Sequence, residues 1–133
     1  MTYVVAYIAT AVVFLGLDAL WLSRVALGLY RRELGGLLLE RPNLPIAAAF
    51  YLLYVGGIVI LAIAPALGDG GWPRVLLMGA VLGLVAYGTY DITNLSTLKG
   101  WSVKLAIIDI AWGTALTAVS ATIGYLVVQA FNL

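Results

Sequence analysis

Four apolar runs, each as long as a bilayer is thick, constrain this chain more than any other feature. A helical span needs about 20 mostly apolar residues to cross about 30 Å of hydrocarbon. Residues 3–22, 44–67, 73–98 and 102–131 each meet that length and use up most of the 133 residues. Helix is the form such runs must take, because where no water reaches, every backbone N–H and C=O needs an internal partner. Only 10% of residues are charged and 64% are hydrophobic, against about 25% charged in a soluble domain. So little charge cannot cover a water-facing surface. The expected fold is all-α: one domain over residues 1–133, an integral membrane four-helix bundle.

The connections refine this. Gly68-Asp69-Gly70-Gly71-Trp72 and Lys99-Gly100-Trp101 are tight turns, and short links make consecutive helices antiparallel neighbours. Asn43 is placed to cap the second span, with Pro45 in its first turn. The long link, residues 23–43, carries Leu27, Tyr30, Leu34, Leu37 and Leu38 at three- and four-residue steps, with Arg24, Arg31 and Arg32 off that stripe. It reads as an interfacial helical segment between spans 1 and 2, or as a continuation of the first span. Gly35-Gly36 is expected to interrupt it. No basic region precedes the first run, so that run is expected to be a retained span and not a cleaved signal peptide.

Charge sets the expected orientation. Arg24, Arg31, Arg32, Arg41, Lys99 and Lys104 flank the first and third links, whereas the second has only Arg74 and the termini have no basic side chain. By the positive-inside rule, both termini face outward, and a bacterial inner membrane is the expected location. Trp72 and Trp101 suit interfacial anchoring. A net charge of +1 argues against nucleic acid, which calls for a clustered basic face. With no Cys and no His, thiolate chemistry and the commonest metal ligand and general base are missing. No metal site, cofactor or catalytic residue is assigned.

Three acids lie inside spans, where charge needs a reason. At about 1.5 Å per residue, Asp18 lies about 9 Å from Arg24, Asp91 about 12 Å from Lys99, and Asp109 about 7.5 Å from Lys104. They occupy one layer on three helices, and a bundle can bring them together. Tyr3, Tyr7, Thr10, Phe14, Asp18 and Trp21 form one face of the first span, and Tyr87, Asp91 and Asn94 one face of the third, with Tyr90 beside it. Asp109, Trp112, Gly113, Thr117, Ser120 and Gly124 give the fourth a face of small and polar residues. Tyr51 and Tyr54 are candidates for the same interior. The candidate ligand-binding residues are Asp18, Trp21, Tyr87, Asp91, Asn94, Asp109 and Trp112. Against this stands a structural reading: aromatic residues as anchors, small residues as packing, the acids as a satisfied polar network.

The stretch Tyr87-Gly88-Thr89-Tyr90-Asp91-Ile92-Thr93-Asn94-Leu95, continuing to Trp101, resembles the hallmark of DUF2177, a family of small predicted bacterial membrane proteins of unknown function. Asp18-Ala19-Leu20-Trp21-Leu22, Phe50-Tyr51-Leu52-Leu53-Tyr54-Val55-Gly56 and Asp109-Ile110-Ala111-Trp112-Gly113 add to the resemblance, in order along the chain. It implies four spans and carries no activity, cofactor or catalytic residue. It adds a hint of lipid, through gene neighbours that modify fatty acyl chains.

Four functions follow as expectations. The first is a binding module that holds a lipid or small amphipathic ligand between helices near the acids. The second is proton- or cation-coupled transport by an oligomer. The third is a structural subunit of a larger membrane complex. The last is a lipid-modifying enzyme or its accessory, the reading with least support because no catalytic motif accompanies the acids.

Overall fold

The computed structural model describes residues 1–37 and 43–132. Leu38, Glu40 and Arg41 of the long link lie outside the described residues. Four helices account for nearly everything described: α1 (Thr2–Leu37), α2 (Leu44–Gly68), α3 (Gly71–Thr97) and α4 (Val103–Ala130). Each is long and apolar enough to cross a membrane, and no strand occurs among the described residues.

Local chemistry fixes the helix ends. Asn43 Oδ1 accepts from Ile46 N at 3.2 Å, and Pro45 sits in the first turn of α2. Ser102 Oγ accepts from Leu105 N at 3.1 Å and caps α4. The helical ladder of α1 runs on past residue 22, so the long link continues the first helix. At about 1.5 Å per residue, its 36 residues reach about 54 Å, well beyond about 30 Å of hydrocarbon. It tightens into a 3₁₀ turn at Gly35, where φ is 52°, a value that favours glycine. The α2–α3 turn uses the same freedom at Gly70, with φ 98°.

Two π-turns interrupt the ladders. In α2 the π-turn is Val59–Ile63, and Pro65 follows it. Proline has no N–H to give and its ring crowds the carbonyl four residues back, so the ladder widens there. In α1 the π-turn is Leu22–Ala26. Within it Ser23 Oγ donates to Leu20 O at 3.2 Å, a side-chain bond that competes for a ladder carbonyl.

Helix α4 packs against the other three and is the centre of the bundle. Its residues Leu105, Asp109, Gly113, Leu116, Ser120 and Gly124 are all buried. The α3–α4 seam is the tightest. A Cβ on Gly79 would meet Ala118 Cα at 2.9 Å, and one on Gly83 would meet Gly113 O at 2.5 Å. Residue numbers fall along α4 as they rise along α3. Only glycine permits such backbone-to-backbone approach, and in lipid, where the hydrophobic drive between helices is gone, close packing is what holds them.

The two ends of the bundle differ. Toward the start of α1 and the end of α4, the interior is a filled apolar core containing Phe14, Ile58, Ile63, Leu116 and Val128. Toward the other end, where Arg24, Arg31, Arg32, Lys99 and Lys104 are exposed, the interior is lined with aromatic and acidic side chains and is not filled.

Candidate functional site

The π-turn of α1 aims the site. Within it Leu27 N donates to Leu22 O, five residues back, so the turn absorbs one extra residue. On an unbroken α-helix, at about 100° per residue, Asp18 and Tyr30 would stand about 120° apart around the axis. The extra residue reduces that to about 20°. Tyr30 therefore joins the face that carries Asp18, and its hydroxyl donates to Asp109 Oδ1 at 3.0 Å.

Asp18 is held from the opposite side. Trp112 Nε1 donates to Asp18 Oδ1 at 3.2 Å. The Trp112 ring stacks on Trp21, with centroids 4.5 Å apart and planes 6° from parallel. The Tyr51 hydroxyl also lies beside Asp18.

All three acids are buried: Asp18 is 5% exposed, Asp109 6% and Asp91 0%. Asp109 neighbours both of the others. They form a row with Asp109 in the middle, and among the described residues no group of three or more acids is placed to hold a metal ion. Their partners are unequal. Asp18 and Asp109 each accept a hydrogen bond, whereas neither carboxyl oxygen of Asp91 makes a well-formed one among the described residues, although the Trp101 indole and the Asp109 carboxyl lie beside it.

Two cavities flank the row. The larger, of about 670 Å³, lies between α1, α2 and α3 and reaches Asp109 on α4; Asp18, Trp21, Tyr30, Tyr51, Tyr54 and Tyr87 line it, and Phe50 and Tyr90 stand exposed on its wall. Tyr54 is fixed by a 2.9 Å hydrogen bond to Thr117 Oγ1. Tyr87 is fixed by Gly113: a Cβ there would fall into the Tyr87 ring, so the missing side chain is the space the ring occupies. The indole Nε1 of Trp21 is buried with no partner. The cavity thus combines aromatic walls and two carboxyls. The smaller cavity, of about 200 Å³, lies on the far side of Tyr30 and is walled by Asp91, Tyr90 and Trp101 with leucines.

Of the residues singled out from sequence, Asp18, Trp21, Tyr87 and Asp109 line the larger cavity, and Trp112 stands behind Asp18 and Trp21. Asp91 lines the smaller cavity. Asn94 lines neither; it is half-buried one turn further along, beside Tyr90. Tyr30, Phe50, Ala86 and Trp101 were not among them. The signal for Tyr30 was its stripe with Leu27 and Leu34, but a straight-helix reading points that stripe away from Asp18. Trp101 reads from sequence as an interfacial anchor because it occupies a turn.

No curated protein and no solved structure matches the chain. A family model does: residues 3–126, from the first turn of α1 to near the end of α4, match the one described as "Predicted membrane protein (DUF2177)". With four helices fit to cross a membrane and nearly the whole length matched, the chain is a membrane protein that belongs to the DUF2177 family.

Proposed function

We propose that the protein is a binding module whose larger cavity holds a lipid or a small amphipathic ligand. The observation that carries this reading is the unfilled cavity of about 670 Å³. Ligand pockets run from about 300 to 1,000 Å³, with mostly apolar walls and a few convergent polar groups. Here Tyr51, Tyr54 and Tyr87 pack the apolar body. Asp18 and Asp109 accept hydrogen bonds from its polar end, and the Trp21 ring packs beside it. The exposed Phe50 and Tyr90 mark where a ligand passes between helices from the bilayer. With the basic residues toward the cytoplasm, the cavity opens in the cytoplasmic half and both termini face outward.

Ala86 lines the cavity and carries no polar group, so Ala86→Trp fills it without removing any member of the polar row. Native mass spectrometry and lipid extraction of the two purified proteins make the test. A species enriched over bulk lipid is expected on the parent protein, and retention about tenfold lower on Ala86→Trp, a loss of about 1.4 kcal/mol. Equal retention by both proteins, or nothing enriched on the parent, overturns the reading.

A further inference from the structure

We propose that the smaller cavity is a second site, separate from the larger one, and that it takes an organic ammonium group. Asp91 has no exposed surface, and both of its carboxyl oxygens lack a well-formed hydrogen bond among the described residues. Buried acceptors are nearly always satisfied, so a carboxyl with two orphaned oxygens beside a void marks a missing donor or cation. Asp109 sharpens the need. It adjoins Asp91 and already takes the Tyr30 hydroxyl, so two neighbouring acids have only neutral donors, Tyr30 and Trp101, beside them. A positive charge between them resolves both the repulsion and the desolvation.

The walls select the kind of cation. Tyr90 and Trp101 stand as two sides of a box, with ring centroids 5.7 Å apart and planes at 86°, and Tyr30 forms a third side. Aromatic faces around an acid are the usual surroundings of alkylammonium ligands. A hard metal ion wants six or more oxygen ligands; these walls offer rings, leucines and a single carboxyl. An anion would meet Asp91. The volume, about 200 Å³, admits a small ammonium headgroup. Trp101 Nε1, also buried, lies beside Asp91 and orients its carboxyl without neutralising it. Leu34 and Leu37 place the cavity at the basic end of the bundle, level with lipid headgroups or the adjacent water. The same chemistry is therefore available on a lipid headgroup or on a free amine.

Protein in nanodiscs of pure phosphatidylglycerol contains no ammonium lipid. Tetramethylammonium and ethanolammonium chloride are titrated against sodium chloride at constant ionic strength, with tryptophan fluorescence and melting temperature as readouts. A parallel series replaces part of the phosphatidylglycerol with phosphatidylethanolamine. A saturable response to ammonium and not to sodium is expected, with affinity about tenfold lower in Asp91→Asn and also lower in Trp101→Leu. Saturation in the lipid series names a headgroup as the source, and saturation by soluble ammonium alone names a free amine. Ala86→Trp, which blocks only the larger cavity, keeps this response, so the two sites fail separately. Equal responses to sodium and ammonium, equal affinity in the parent and a folded Asp91→Asn, or no response in any series overturns the proposal.

Discussion

Replacing Gly83 by alanine is expected to destabilise the bundle by about 1–3 kcal/mol, the usual effect of overpacking a closed interface, and Gly83→Leu is expected to prevent folding. A Cβ on Gly83 meets backbone: Gly113 O at 2.5 Å and Thr114 Cα at 2.9 Å. Backbone cannot rotate away as a side chain can, so α3 and α4 must separate along their whole seam. Two substitutions calibrate the measurement. Gly88 has nothing within 4 Å of an added Cβ, so Gly88→Ala is expected to leave stability unchanged or raise it by up to about 1 kcal/mol, the helix-propensity difference. Gly113→Ala meets the Tyr87 ring, which can swing into the larger cavity, so its main effect falls on ligand retention. Thermal melting of the purified proteins separates the cases. If Gly83→Ala melts with Gly88→Ala, the close seam does not exist as described.

Inserting one alanine between Val25 and Ala26 is expected to break the contact between Tyr30 and Asp109, whereas deleting Val25 is expected to preserve it. The reason is angular. The π-turn Leu22–Ala26 already holds one residue more than an α-helix would. Removing a residue leaves a plain α-helix whose lower part keeps its face toward α4. Adding one turns that part by about 100° and carries Tyr30, Leu29 and Ala26 off their buried side. Loss of the Tyr30 hydrogen bond alone costs about 1 kcal/mol or more. The chain has no cysteine, so Tyr30→Cys with Asp109→Cys reports the contact without background. A short thiol crosslinker should join the pair in the parent and in the Val25 deletion and fail in the insertion. Equal crosslinking in all three would show that the π-turn does not set this face. An intolerant deletion would show that the π-turn matters for more than register.

What could be read from residues alone was local or compositional. The length and apolarity of the four runs required four helices, because lipid leaves the backbone no other way to satisfy its hydrogen bonds. Asn43 announced a helix start, since its side chain bonds within one turn of itself. That Asp18, Asp91 and Asp109 could share one layer followed from counting residues to the nearest basic one. The pair Gly79 and Gly83, four residues apart, is a packing signal of the same local kind.

Tertiary structure decided which faces meet. Asp91 and Asp109 are neighbours, yet Asp91 opens into one cavity and Asp18 into another, a division that no spacing within a single helix encodes. Tyr30 joins the site because of a π-turn, and an error of one residue in helical register displaces everything beyond it by about 100°. The central place of α4 and the void at one end depend on how the side chains of all four helices fill space together. Each helix specifies its own length and ends through bonds to near neighbours, whereas the cavities are what four separate surfaces leave open when they close on one another.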